Sequence, residues 1–307
     1  MVRPRLAGSH GAREFSADCA DIVAFSPDPS GDFAGKARIL ETLESGGVVL
    51  LPDTPFRLAT REQALLDPEL SDPKSKNISL DPQTLKVRGA RSDPETTAGL
   101  GALLAHYAEW GEALIRSLLP RYAPSLERAR TSFRPKPIGT FAPSVRKDDR
   151  RLHVDAFPSQ PSGGRRILRL FSNVDPSGEA RLWRLGEPFE RFAARFIGRT
   201  KTPTPAAAWL SERLGVTRSR RSSYDELMLQ LHDLAKRDEA YQASAPYRAA
   251  SFPTGSSWIV FTDAVVHAAV GGRNALEQTF FTPVEAMEDE AASPLRVLER
   301  LGGADLV

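Results

Sequence analysis

His153 and Asp155 stand two residues apart in the run Arg151-Leu152-His153-Val154-Asp155-Ala156-Phe157-Pro158, and a second histidine in apolar surroundings, His267, follows much later in the chain. In an extended segment residues i and i+2 project from the same face. One imidazole and one carboxylate can therefore stand side by side, and His267 can complete the set from a neighbouring strand. Two histidines and one carboxylate on one face of a metal, with the other face open, is the donor set of non-haem Fe(II) oxygenases.

Such a set needs a rigid frame, and the strand signals supply one. Short β patterns bounded by Pro, Gly and Asp turns fall at 129–134, 151–157, 165–174 and 180–185, then again at 247–252, 257–262, 264–270 and 274–282. Helical spacing covers 187–214 and 223–242, interrupting the two groups. Earlier, a helix begins after Gly35, a short buried strand spans Val48 to Leu51, residues 68–95 are turn-rich, and a long helix runs from Thr96 to Leu119. A last helix covers 292–301. Strands at short spacing on both sides of a helical insertion predict a mainly β fold with helices (α+β). Its core is a double-stranded β-helix, the cupin-like jelly roll, flanked by helices. The chain divides into a loose leader over 1–34 and a single domain over 35–307, with the jelly-roll core at about 129–282 and the insertion at about 187–242.

Composition narrows the setting. A chain of 307 residues with 41% hydrophobic content can bury a substantial core, and its 24 prolines favour short elements. A formal charge of +2 gives no bulk attraction for nucleic acid, and no aromatic platform is interleaved with the basic runs. The lone Cys19 excludes an internal disulfide and a cysteine-rich metal site, and it suits a reducing compartment. Arg3 and Arg5 precede no apolar signal segment, and no run is apolar enough to span a bilayer, so a cytoplasmic protein is expected.

By itself His-x-Asp is weak: with five histidines, about half of such compositions carry one His-x-Asp/Glu by accident. Strand context strengthens it, as does His267 between Val266 and Ala268 just after the apolar run Trp258-Ile259-Val260-Phe261. His10 in the leader, and His106 and His232 on helices, read as solvated or core histidines. No His-Glu-x-x-His or His-x-His occurs, which leaves zinc a minor reading.

The stretch His153 to Pro161, continuing Gly164-Arg165-Arg166-Ile167-Leu168-Arg169-Leu170-Phe171-Ser172-Asn173, resembles the bacterial Kdo hydroxylases. These are Fe(II)- and 2-oxoglutarate-dependent dioxygenases acting on 3-deoxy-D-manno-oct-2-ulosonic acid (Kdo) of the lipopolysaccharide inner core. Ser257 to Asp263, His267-Ala268-Ala269, Leu276 to Phe281 and Lys76-Asn77-Ile78-Ser79 look like the same family, so the resemblance covers roughly residues 38 to 282. It implies His153, Asp155 and His267 as iron ligands, 2-oxoglutarate and O₂ as co-substrates, and hydroxylation at C3 of Kdo in a lipid A precursor.

The far carboxylate of 2-oxoglutarate needs a fixed cation. Many related oxygenases place it about ten residues after the distal histidine, where this chain has Glu277 and Gln278. The strand after His-x-Asp offers Arg169, which interrupts an apolar run, and then Arg166, because parity alone leaves the inward face open. Arg273 reads as solvated. The basic runs Arg146-Lys147, Arg150-Arg151 and Arg218, Arg220, Arg221 suit an anionic saccharide or a peripheral contact with the inner-membrane surface, and equally a solvated loop. Two other readings stay open: an oxygenase of another sugar acid or small molecule, and a jelly-roll module that binds anionic sugar without turnover.

Overall fold

The computed structural model describes residues 18–28, 30, 35–91, 93–140, 144–201 and 221–307. Among these, eleven strands form two sheets. They are β1 (Ile22–Ala24), β2 (Val48–Leu51), β3 (Ile78–Leu80), β4 (Val87–Arg88), β5 (Glu127–Arg134), β6 (Arg166–Asn173), β7 (Arg181–Leu185), β8 (Arg248–Phe252), β9 (Ser257–Phe261), β10 (His267–Gly271) and β11 (Ala275–Thr282). The larger sheet has the order β1-β2-β9-β6-β11-β5-β3-β4, and the smaller is β10-β7-β8. The two face each other around a slab of Phe171, Trp183, Phe252 and Trp258. Sheet stacked on sheet in antiparallel register is the jelly roll that strand spacing predicted.

Alternation along β6 decides which residues meet that slab. Leu168 and Leu170 pack in the core shared with the helices, whereas Phe171 packs between the sheets. Odd positions therefore look into the barrel and even positions away from it. Helix α1 (Lys36–Glu44) and helix α3 (Pro94–Leu118), with the short α2 (Thr60–Gln63) between them, belong to this outer layer. In α3, Pro94 occupies the first turn and Asp93 accepts from the Thr96 N–H at 2.7 Å, so the helix starts two residues before the sequence-based expectation. Further on come α4 (Phe189–Phe196), α5 (Ser223–Arg237), α6 (Glu239–Ser244) and α7 (Pro294–Gly302). Positions 202–220 of the expected insertion lie outside the described residues.

Three expectations change. Within the supposed leader, Ile22–Ala24 pairs in parallel with β2 and adds an edge to the larger sheet. The segment 151–157 is not a strand, because His153 makes one bridge to His267 and Asp155 then donates its N–H to the Thr262 carbonyl beyond β9. A chain crossing from one sheet to the other cannot continue a ladder with either. And β10 begins at His267, because Ala264 and Val265 turn back onto the Phe261 carbonyl.

Candidate metal centre

Main-chain geometry brings the sequence-predicted donors together. His153 and His267 exchange two backbone hydrogen bonds, at 3.0 and 2.8 Å, which puts their rings side by side with centroids 4.7 Å apart. The i+2 step carries Asp155 to the same place: His153 Nε2 is 3.7 Å from Asp155 Oδ1. One donor atom from each of His153, Asp155 and His267 lies within 4.8 Å of the others. All three are buried.

The tautomers are set from behind. His153 Nδ1 donates to the Arg151 carbonyl at 2.7 Å, and His267 Nδ1 to the Val265 carbonyl at 2.8 Å. With the proton on Nδ1, each Nε2 keeps a lone pair facing the cluster, as a metal ligand requires. Burial pushes the His153 imidazolium down to about 3, against the opposing pull of the nearby Asp155 carboxylate, and burial lowers His267 too. Burial alone would raise Asp155, but Arg169 and His153 outweigh it and hold the carboxyl well below its ordinary range. Neutral imidazoles beside an ionised carboxylate form a donor set ready for a divalent cation.

Arg169 reaches this cluster and Arg166 does not. Arg169 places Nη1 2.7 Å from Asp155 Oδ2 and Nη2 2.8 Å from Glu277 Oε1. The first contact is an ion pair rather than an aligned hydrogen bond, and Asp155 Oδ2 remains a buried oxygen without a donor. Arg166 occupies an even position of β6. It turns to the helical side, pairs with Asp263 at 2.8 Å and lies 3.9 Å over the Phe261 ring. The role expected of Arg166 at the cluster is therefore corrected by strand parity.

Sequence reading missed the rest of the barrel lining. A cavity of about 170 Å³ beside the cluster is lined by Lys76, Arg134, Asp149, Arg181 and Trp183, among others. Arg134 binds Glu277 at 2.5 Å and Asp149 at 3.1 Å, and Lys76 pairs with Asp149. Burial would raise Glu277, yet Arg134 and Arg169 hold it below its ordinary value; Lys76 and Arg134 do the same for Asp149. Trp183 stacks on His267 at 5.0 Å, and its buried Nε1–H has no partner among the described residues.

Arg181 differs from the other cations. It is 4% exposed, donates to the Gly272 carbonyl at 3.0 Å, and has no carboxylate within ion-pair reach among the described residues. Burial, then Arg134 beside it, push its guanidinium down to about 9, which leaves it charged at neutral pH and short of an anion. Gly272 permits the close approach: at φ +90° a Cβ there would sit 2.7 Å from the Ala180 carbonyl oxygen. The alternation Arg181-Leu182-Trp183-Arg184-Leu185 was the available signal, since it sets Arg181 and Trp183 on one face.

His232, read as an ordinary helix histidine, lies edge-on to His153 at 5.3 Å, with its Nδ1 on Asp233. Arg273 is partly buried against Asp175 rather than solvated. Of the basic runs, Arg146, Arg150, Arg151 and Arg221 pair with Asp233, Asp148, Glu239 and Glu226. Arg218 and Arg220, like His10, lie outside the described residues.

Residues 29–305 match the model of the 3-deoxy-D-manno-oct-2-ulosonic acid (Kdo) hydroxylases. The chain belongs to the Kdo hydroxylase family. Solved structures agree. The Kdo hydroxylase KdoO, a non-haem Fe(II) α-ketoglutarate-dependent dioxygenase in complex with α-ketoglutarate and Fe(III), is 43% identical with a TM-score of 0.88. That match covers 94% of this chain and 97% of that one. Its apo structure (44% identity, TM-score 0.88, coverage 94% and 97%) and its cobalt(II) complex (44%, 0.88, coverage 93% and 97%) align equally well. No curated protein sequence matches. Among the described residues, no helix is long and apolar enough to cross a membrane.

Proposed function

We propose that this chain is an Fe(II)- and 2-oxoglutarate-dependent hydroxylase of Kdo. The observation that carries the reading is the facial set His153, Asp155 and His267, with both Nε2 atoms free and a cavity of unsatisfied donors next to it. Family membership and 43% identity across nearly the whole chain support it. The sugar is a 3-deoxy acid, so C3 is the ring carbon that lacks a hydroxyl, and we take it as the carbon modified. A Kdo-bearing lipid A precursor is the substrate form this reading favours.

The residues suit both cofactors. Iron would be held by His153 Nε2, His267 Nε2 and one oxygen of Asp155, leaving the opposite face open. 2-Oxoglutarate would lie in the cavity toward β7, its far carboxylate on Arg181, within a wall that also offers the unpaired Trp183 Nε1–H. Arg169 is the weaker anchor, because both of its terminal nitrogens are already committed to Asp155 and Glu277. When bound, the iron and its co-substrate supply the oxidising power that activates O₂ against a carbon–hydrogen bond.

What the chain itself does is orient and exclude. The Arg151 and Val265 carbonyls hold the imidazole tautomers. Arg169 holds one oxygen of Asp155 and turns the other toward His153. Phe171 and Trp183 wall the cavity on the barrel side with apolar rings, which lowers the local dielectric around its charges. Around the cavity four cations (Lys76, Arg134, Arg169, Arg181) face three carboxylates (Asp149, Asp155, Glu277). A dication alone would add to a positive interior; arriving with a dianion, it leaves the balance unchanged.

The test is anaerobic titration with Fe(II) and then 2-oxoglutarate, followed by aerobic assay of succinate with a Kdo-bearing lipid. We expect tight chelate formation and one added oxygen on Kdo, both lost in His153→Ala. A folded protein that binds neither iron nor 2-oxoglutarate overturns the reading.

A further inference from the structure

Lys76-Asn77-Ile78-Ser79 leads into β3, with Lys76 paired to Asp149. Asn77 and Ser79 line a second cavity, of about 320 Å³, on the barrel face of the larger sheet. The floor is β3, β5 and β11, through Ser79, Ser132 and Thr279. The roof is the turn Phe157-Pro158-Ser159-Gln160, which directly follows the metal-ligand segment. Arg169 and Arg134 line both this cavity and the smaller one beside the cluster, so the two meet at those side chains.

Two buried polar atoms of its lining are unsatisfied. Arg169 Nε is a donor without an acceptor, and Asn77 Oδ1 is an acceptor without a donor. Leaving such groups unpaired in a folded protein is costly, so their presence on one cavity calls for a ligand that satisfies both. That ligand needs an oxygen to accept from a guanidinium and, on the same small body, a hydroxyl to donate to an amide oxygen. The rest of the wall mixes hydroxyls (Ser79, Ser132, Ser159, Thr279), arginines and Gln160 with the apolar faces of Ala129, Phe157 and Pro158, as a sugar ring with its C–H faces and hydroxyl edges requires, and Glu277 is already held by Arg134 and Arg169. A polyhydroxylated carboxylic acid meets these demands; an apolar or cationic molecule does not.

We infer that this cavity is the subsite for the sugar-acid ring of the substrate, with Arg169 Nε donating to one of its oxygens and Asn77 Oδ1 accepting from one of its hydroxyls. The inference rests on the Kdo-hydroxylase reading and adds to it where the ring lies and which side chains select it. Arg169 thereby joins the two halves of the site: its terminal nitrogens hold Asp155 and Glu277, and its third nitrogen faces the substrate. Asn77 is a specificity residue, remote from the reacting atoms.

The experiment compares the wild type with Asn77→Ala and with the isosteric Asn77→Asp, each loaded with Fe(II). The readouts are the anaerobic Kd for 2-oxoglutarate and the KM and kcat for a Kdo-bearing lipid, with free Kdo as a second probe. Loss of one hydroxyl hydrogen bond raises KM by about five- to tenfold in Asn77→Ala. Asn77→Asp, which sets a negative charge against an acid, raises it further. The 2-oxoglutarate Kd stays unchanged in both. Should the alanine variant fail to fold, the aspartate variant carries the test alone. A KM within twofold of wild type in the folded variants, with wild-type Kdo turnover intact, overturns the subsite and leaves the function standing. A wild type that binds iron and 2-oxoglutarate but adds no oxygen to Kdo overturns the function, and the subsite with it. A parallel rise in the 2-oxoglutarate Kd overturns the separation of the two cavities.

Discussion

Arg169 Nη1 stands 2.7 Å from Asp155 Oδ2, while the other oxygen of the same carboxylate looks toward His153. A guanidinium against a metal-ligand carboxylate fixes which oxygen is offered to the metal, and the second arm, on Glu277, ties that choice to the middle of β11.

Replacing Arg169 strands the buried Asp155 carboxylate and leaves Glu277 with Arg134 alone. Arg169→Met lowers the unfolding free energy of the metal-free protein by about 3–5 kcal/mol, measured in urea. Adding Asp155→Asn recovers part of that loss by removing the stranded charge. A single variant as stable as wild type means the pair is not structural.

Trp183→Phe keeps the ring against His267 and removes only the Nε1–H. With a hydrogen bond worth about 1 kcal/mol, the anaerobic Kd for 2-oxoglutarate rises by about fivefold while Fe(II) affinity holds. If iron affinity falls instead, the indole acts on His267 and not on the co-substrate.

Arg181 is the sharper test of the anchor. Arg181→Met weakens 2-oxoglutarate by about ten- to a hundredfold through loss of a charge-assisted contact. The same change spares the empty protein the cost of burying a cation without an anion, so the metal-free Tm rises or holds. Gly272→Ala also weakens 2-oxoglutarate, because its Cβ would lie 2.9 Å from Arg181 Cα. Unaltered 2-oxoglutarate binding in Arg181→Met returns the role to Arg169.

Acid destabilises the metal-free protein in two stages. His153 is depressed to about 3 in the fold, against an ordinary value near 6.5. Between those values the unfolded chain holds the proton and the fold does not, so stability falls as pH drops from about 6.5 toward 3. His267 is shifted the same way. Below about pH 4 the depressed Asp149, Asp155 and Glu277 add a second loss, since their stabilisation vanishes as they protonate. Thermal melts from pH 7 to 4 show the first stage, and His153→Gln flattens it. Saturating Fe(II) steepens it, because the metal and the proton compete for Nε2.

Local signals carried much of this architecture. The spacing of Pro and Gly turns placed seven barrel strands to within about two or three residues, the segment holding His153 being the exception, and the i+2 relation of His153 and Asp155 survives although that segment is not a strand. Three features needed the fold. The inward face of β6 is a parity that only packing sets, so Arg166 and Arg169 could not be separated. Arg134, Arg181 and Glu277 sit on three strands far apart in sequence, and each alone looks like an ordinary charge on a sheet. The value of Asn77 comes from a missing hydrogen bond, which no residue pattern expresses.

The paired amides and carbonyls of His153 and His267 hold the two imidazoles in register by main chain alone. Metal loading is thereby uncoupled in time from chain folding. A newly made molecule can finish its barrel, wait through a shortage of iron, and take up the ion later without rebuilding its frame.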